Sequence, residues 1–200
     1  MSQVPTRANN SIIPEEKRLK LAGLCGVAAP IVALSCIFIA ISLSPWFNWS
    51  ANALSDLGIG EAAWVFNLGL MAGGILSMVF VVGMFSPFND SVRRLGTLVF
   101  FLGALSLVGI GAFSEAAGRI HFYFSVAFFV LVPISLLLIG AGFVLTGSRK
   151  FGVLTVVIGV LAALPWAFSW SSVAVPELLS ALASTAWSAI QGARFYLGRL

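Results

Sequence analysis

Six long apolar segments, separated by short polar connections, constrain the possible folds of this chain more than any other feature. A hydrocarbon core about 30 Å thick requires about 20 apolar residues in each helix that crosses it. The chain has 200 residues, of which 60% are hydrophobic and 9% are charged, and its mean hydropathy is +1.04. The sequence therefore predicts an all-α polytopic membrane protein, built as one bundle of six transmembrane helices.

The predicted organisation is a polar tail over residues 1–20, followed by a single six-helix transmembrane domain over residues 21–200. Proline residues and short polar clusters mark the ends of the apolar segments. The predicted helices span about 21–44, 64–85, 95–113, 120–145, 151–170 and 177–197.

Basic residues occur almost entirely in alternate connections, which predicts the orientation of the bundle. Ten lie on the side of the amino terminus, and Arg119 alone lies on the other side. Because cytoplasmic loops carry an excess of Lys and Arg, we expect both termini to be cytoplasmic in a multi-pass protein of the cell membrane. Such dispersed charges do not form a phosphate-binding stripe, which argues against nucleic acid as a partner. The ten are Arg7, Lys17, Arg18, Lys20, Arg93, Arg94, Arg149, Lys150, Arg194 and Arg199.

Small residues line many of the predicted helices, and Gly69 and Gly73 form a GxxxG pair. Small side chains let helices approach closely in lipid. The pair predicts tight packing inside the bundle. A homo-oligomer formed through small-residue faces is the alternative. Membrane lipids are the other expected partners.

The connection after the first helix carries polar side chains toward the predicted outer side. Ser50 can cap a short helix that Gly58 ends, and this arrangement puts Asn52, Ser55 and Asp56 on one side of it. The segment can then point a polar face into the mouth of the bundle. An ordinary interfacial loop is the alternative.

The connection before the fourth helix supplies Glu115, Arg119 and His121, the only histidine. Glu115 and Arg119 are four residues apart, which is the spacing of a helical ion pair. His121 can exchange a proton if Asp56 or Glu115 is near, or it can be a hydrogen-bonding interfacial residue. With one histidine and no cysteine cluster, we expect no metal site and no cofactor.

Polar residues recur along the last predicted helix at steps of three and four, which puts them on one face. We expect this face to turn toward the bundle interior, either as small-residue packing or as the wall of a ligand pocket. Its members are Glu177, Ser180, Ser184, Ser188 and Gln191.

The segment Asn52-Ala53-Leu54-Ser55-Asp56-Leu57-Gly58, followed by Phe66-Asn67, resembles the signature of a prokaryotic membrane family known as domain of unknown function nine-nine-eight. Gly111-Ala112-Phe113, with His121 at the start of an aromatic-rich helix, is also similar to that family's pattern. The resemblance implies about six spanning helices and no established activity. It draws attention to Asn52, Ser55, Asp56, Asn67 and His121.

Three functions follow from these observations. The first is an outward-facing polar pocket that binds a lipid headgroup or a small polar ligand. The second is a membrane-embedded enzyme acting on a lipid or isoprenoid at the outer leaflet, with Asp56 and His121 as its acid–base pair. The third is a structural or assembly partner without chemistry. Candidate ligand-binding residues are Asn52, Ser55, Asn67, Glu115, Arg119, Ser180 and Ser184.

Overall fold

The computed structural model describes residues 14–199. Within this range the chain forms six α-helices and no β-strand, so the predicted all-α class is confirmed. The helices are α1 (Glu15–Ser42), α2 (Ala63–Met84), α3 (Ser91–Ala112), α4 (Arg119–Leu145), α5 (Arg149–Ala163) and α6 (Ala174–Tyr196). Short 3₁₀ helices lie in the connections at Leu54–Gly58, Glu115–Ala117 and Leu164–Ala167.

Five helical segments among the described residues are long and apolar enough to cross a membrane: α1 to α4, and the segment Arg149–Ala167 that contains α5. Helix α6 does not meet the same criterion, since its row of polar residues lowers its hydropathy. Its 23 residues nevertheless extend about 34 Å at 1.5 Å per residue. The chain is a multi-pass helical membrane protein, and the sixth crossing stays a prediction.

Two helix boundaries differ from the sequence prediction by about six residues or more, each for a local reason. Helix α1 begins at Glu15 rather than near residue 21, because Pro14 precedes a run of good helix formers and Lys20 donates to Glu16 at 2.6 Å. Helix α5 ends at Ala163 rather than near residue 170, because Pro165 lacks the N–H that the α-helix needs there. Residues 1–13 of the predicted tail lie outside the described range.

The six helices form a ring in which each packs on the next and α6 returns to α1. Antiparallel succession brings nine of the described basic residues to one end of the bundle, which we call the basic end. The opposite end, which we call the carboxylate end, contains the Leu54–Gly58 and Glu115–Ala117 helices. Arg119 lies at the carboxylate end, and Arg7 lies outside the described range.

Close contacts between helices use the small residues. A Cβ atom on Gly73 of α2 would lie 2.8 Å from the Cβ of Ala33 in α1, so only glycine permits this approach. Gly69 faces Cys36 of α1 in the same way. The GxxxG pair is therefore used inside the bundle, where it joins α1 to α2.

Polar side chains on α6 also join helices. Pro30 leaves the carbonyl of Gly26 without its helical N–H partner, and the hydroxyl of Ser188 donates to that carbonyl at 2.9 Å. The predicted burial of the polar face of α6 is confirmed, since all five of its members are buried.

Candidate functional site

A cavity of about 760 Å³ opens at the carboxylate end, between α4 and α6. Helix α4 packs along α3 and α5 but touches α6 only weakly, and this separation leaves the space. Residues from four elements meet at the polar end of the cavity, where its lining includes Ser55, Glu115, His121 and Glu177. The volume lies within the roughly 300–1,000 Å³ typical of ligand sites.

An apolar channel that is open along one side continues from this polar end along α4, since its lining side chains Phe122, Val126 and Val130 are 61%, 44% and 48% exposed. Its lining extends from His121 to Leu137, sixteen residues apart, which corresponds to about 24 Å of helix. One leaflet of a bilayer core is about 15 Å deep, so the channel is longer than the hydrocarbon part of a leaflet. Its apolar members on α4 are Phe122, Val126, Phe129, Val130, Pro133, Ile134 and Leu137.

Glu115 and Asp56 form a carboxyl pair at the polar end. The Glu115 carboxyl lies beside the Asp56 carboxyl and the Ser55 hydroxyl. Burial, followed by the hydrogen bond and the negative charge of Asp56, raises the pKa of Glu115 to about 7. Below that pH Glu115 is mostly protonated, so the pair holds mostly a single negative charge.

Asp56 is the ionised member of the pair, because its own loop supplies hydrogen-bond donors. Burial acts to raise the pKa of Asp56, but hydrogen bonds from Glu115, Asn52 and the Ala53 amide outweigh it and lower the pKa below its usual value. The Asn52 side-chain amide donates to Oδ2 of Asp56 at 2.8 Å, and the Ala53 N–H donates to the same oxygen at 3.0 Å.

His121 is 6% exposed and lines the cavity. Its Nδ1 lies 2.8 Å from the carbonyl oxygen of Phe113, at the end of α3. Since a carbonyl only accepts, Nδ1 carries the hydrogen, and Nε2 is the acceptor of the neutral ring. Nε2 is buried and has no hydrogen-bond partner among the described residues. The side chain thus offers a free acceptor at the polar end of the cavity.

Glu177, in the first turn of α6, is 8% exposed and also lines the cavity. Its Oε2 accepts a 2.7 Å hydrogen bond from the Leu54 N–H, which joins α6 to the 3₁₀ helix that carries Ser55 and Asp56. The Ala174 N–H donates to the Asn52 carbonyl at 3.3 Å and reinforces the same junction. Residues from distant parts of the chain are therefore held together at the polar end.

Six predicted site residues lie outside the cavity lining: Asn52, Asp56, Asn67, Arg119, Ser180 and Ser184. Asn52 supports Asp56, and the Asn67 side-chain amide donates to the Gly58 carbonyl at 3.0 Å, which anchors the end of the Leu54–Gly58 helix. Arg119 is exposed and is not an ion-pair partner of Glu115 anywhere in residues 14–199. Gly118, with φ of 59°, separates the Glu115–Ala117 turn from α4, so the two residues do not share the helical spacing that the predicted pair required.

Ser180 and Ser184 are buried, but their hydroxyls donate hydrogen bonds to backbone carbonyls and do not line the large cavity. Ser180 donates to the Ala162 carbonyl and accepts from the Trp166 indole N–H at 2.9 Å. Ser184 donates to the Ser180 carbonyl at 2.9 Å. Ser180 thereby holds α6 against the end of α5, whereas the Ser184 bond lies within α6.

The sequence-based site omitted two kinds of lining residue. Glu177 was expected on the polar face of α6 and on the outer side but was not among the candidate site residues, although its position directly after Pro176 already placed a carboxylate in a first helical turn. Phe129 and Trp166, whose ring centroids lie 4.8 Å apart, form part of the apolar wall. No local pattern distinguishes such rings from ordinary lipid-facing aromatics.

No group of three or more His, Cys, Asp or Glu side chains in the described part of the chain has a metal-binding arrangement. The carboxyls and the imidazole instead present separate hydrogen-bond acceptors around the end of an apolar channel.

This fold defines a multi-pass α-helical membrane protein with a cavity at one end of its helix ring. The chain belongs to the family described as Protein of unknown function (DUF998), whose model matches residues 27–194. The match begins within α1 and ends within α6, so it includes every lining residue of the cavity. The resemblance predicted from the Asn52–Gly58 segment is thereby confirmed. No curated protein and no solved structure matches the chain.

Proposed function

We propose that this protein binds a single-chain amphipathic lipid, with the polar head between Glu115, His121 and Glu177 and the tail in the channel along α4. The observation that carries the proposal is the continuity of buried polar acceptors with about 24 Å of apolar channel. A polar ligand without a tail would leave that channel empty, and a purely apolar ligand would leave the buried acceptors unsatisfied.

In this proposal α6 is the sixth crossing helix and the carboxylate end faces outward in the cell membrane. The excess of basic residues at the basic end, nine to one among the described residues, supports this orientation. The polar end then lies near the headgroups of the outer leaflet. A lipid can enter sideways, since α4 and α6 are separated there.

Ser55, Glu115, His121 and Glu177 are the head-contacting residues in this proposal. Asp56, Asn52 and Asn67 are positioning residues, which hold the loop that presents Ser55 and orient Glu115. Arg119 remains at the exposed rim, at the level where lipid headgroups begin.

Blocking the channel tests the proposal. Ala163 lines the cavity from α5, so Ala163→Trp fills part of the tail space, whereas Val157→Trp adds the same ring to an exposed position of α5 outside the lining. Hexadecanol and hexadecylamine are offered to the detergent-solubilised protein, and the bound fraction is read by native mass spectrometry. We expect Ala163→Trp to lower retention at least about tenfold and Val157→Trp to leave it unchanged. Equal retention in all three proteins contradicts the proposal.

A second candidate is an enzyme that acts on the lipid head. The proton-sharing Glu115–Asp56 pair and the free Nε2 of His121 supply an acid and a base at one end of the cavity. Glu115 and His121 are then the catalytic residues, and Asp56 positions the proton.

Lipid profiles of cells that express the wild type, Glu115→Gln or His121→Ala test this second candidate. An enzyme depletes one lipid species and accumulates another only in the wild type. Identical profiles exclude catalysis and leave binding. A protein that retains no lipid and changes no profile is a structural or assembly partner instead.

A further inference from the structure

We propose that the head of the bound lipid is a primary ammonium group, so that the ligand class is a long-chain amine. The inference rests on the proposed lipid-binding function and names the chemistry of the head. It follows from the set of groups that line the polar end of the cavity.

Those groups are acceptors. His121 presents Nε2 without a hydrogen-bond partner among the described residues, and Oε2 of Glu115 is likewise buried without one. Glu177 adds a carboxylate that is 92% buried, given its 8% exposure, and only its Oε2 is used by the Leu54 N–H. Buried acceptors that lack donors destabilise a protein unless a ligand supplies the donors.

The charges at the polar end further restrict which head group can bind. Within residues 14–199, no lysine or arginine lines the cavity. A phosphate or carboxylate head would meet the negative charge of the Glu115–Asp56 pair and the Glu177 carboxyl with no lysine or arginine in the lining, and like charges in a poorly solvated site repel strongly. An anionic head is therefore disfavoured, and a cationic one is attracted.

The geometry favours an ammonium over the other positively charged or neutral ligands. An ammonium group has three N–H donors, which match the three acceptors of Glu115, His121 and Glu177, whereas a hydroxyl head supplies one donor. A quaternary ammonium supplies none and is recognised by aromatic rings instead. No metal-binding group is present in the described part of the chain, and a free metal ion would not use the apolar channel.

Three probes that share a sixteen-carbon tail test the head: hexadecylamine, hexadecanol and hexadecyl phosphate. They are added at equal mole fraction to the solubilised full-length protein, and retention is measured by native mass spectrometry. We expect the amine to be retained at least about tenfold more than the phosphate, with the alcohol between them. Retention of the phosphate at or above the level of the amine overturns the ammonium assignment but supports lipid binding. Retention of none of the probes overturns lipid binding as well.

Amide variants show whether the retained amine uses these acceptors. Glu115→Gln removes the carboxyl that is paired with Asp56, Glu177→Gln removes the carboxyl of α6, and a glutamine at position 177 can still accept from the Leu54 N–H. We expect either change to reduce retention of hexadecylamine about tenfold and to change retention of hexadecanol little. Glu61→Gln is the matched control, because Glu61 is an exposed carboxylate at the same end that does not line the cavity. An equal loss in Glu61→Gln, or no loss in the other two variants, contradicts the inference.

Far-UV circular dichroism confirms that each variant is folded before retention is compared. His121→Gln gives an independent check, since it replaces the imidazole by a side chain that both donates and accepts. We expect weaker amine retention in this variant also. Unchanged amine retention in His121→Gln removes His121 from the head site.

Discussion

The basic end of the bundle is filled by aromatic rings, whereas the carboxylate end encloses a cavity. At the basic end, the Phe88 ring packs on Phe143 and on Phe195 at centroid distances of 5.4 and 6.3 Å. The Arg93 guanidinium lies 4.7 Å from the Phe88 ring and also pairs with Asp90. Its charge is therefore compensated from two sides.

At the carboxylate end the polar groups are brought together without being fully satisfied. His121 and Glu115 each leave one buried atom without a partner in the described residues, and they do so beside an open channel. The basic end has two comparable atoms, Oε1 of Gln191 and Nε of Arg194, but neither residue lines the cavity, and the Arg194 guanidinium lies 3.9 Å from the Phe151 ring. Apolar clusters pack at both ends, so the ends differ in the open cavity that adjoins the unpaired groups of the carboxylate end.

The largest expected effect compares how much side chains at the two ends contribute to the free energy of unfolding. Trp187 is fully buried against Phe80 and Phe100, so Trp187→Ala should lower the free energy of unfolding by about 3–5 kcal/mol. Phe129→Ala, on the cavity wall, should lower it by less than about half as much, because fewer atoms surround that ring. Unfolding in mixed detergent–SDS micelles, followed by circular dichroism, measures both. Equal losses would remove the contrast between the ends.

A smaller effect is expected at Arg93. Arg93→Gln removes the charge that faces Asp90 and two aromatic rings, and should lower the free energy of unfolding by about 2 kcal/mol. The exposed Arg94 is the matched control, and Arg94→Gln should change it by less than about 0.5 kcal/mol. The same micelle titration applies. Similar values for the two variants would show that the basic end does not depend on this cluster.

The carboxyl pair predicts a pH dependence that originates at the carboxylate end. Burial and Asp56 raise the pKa of Glu115 from 4.5 to about 7, so between these values the folded protein binds more protons than the unfolded chain. The free energy of unfolding should fall as the pH rises through this window, by about 1 kcal/mol after allowance for partial exposure.

Glu115→Gln should make that dependence shallower, and Glu61→Gln should leave it unchanged. The Asp56 carboxyl contributes in the opposite direction, but only below its ordinary pKa of 3.8, outside this window. Equilibrium unfolding at pH 5 and pH 8 distinguishes the variants. A slope in Glu115→Gln equal to that of the wild type would show that the carboxyl pair is not its source.

The smallest effect concerns Arg119, the one basic residue at the carboxylate end. Its side chain is exposed and forms no ion pair in the described residues, so Arg119→Gln should alter the free energy of unfolding by less than about 0.5 kcal/mol. It should also leave hexadecylamine retention unchanged. A marked loss of retention would extend the head site to the exposed rim.

The helices could be predicted because their signals are local. Apolar length located all six, and a spacing of three and four identified the buried face of α6 from Glu177 to Gln191. The predicted helix boundaries were wrong where a few local residues decided them. Pro165 ends α5 early, and the charged run after Pro14 extends α1. The predicted ion pair between Glu115 and Arg119 is not formed, because Gly118 adopts a positive φ that the spacing alone does not reveal.

By itself, the sequence determined the class of the protein, its helices and the separation of basic from acidic ends, because each depends on residues close together in the chain. Only the tertiary structure decided which polar residues meet. Three separate parts of the chain supply Ser55, Glu115 with His121, and Glu177, and they converge because the ring of helices closes while α4 stays away from α6. Ser180 and Ser184, on the same face as Glu177, donate instead to backbone carbonyls, Ser180 to one of α5 and Ser184 to one of its own helix. The difference between a packed serine and a ligand-facing carboxylate is the distance to the neighbouring helix, which no local pattern encodes.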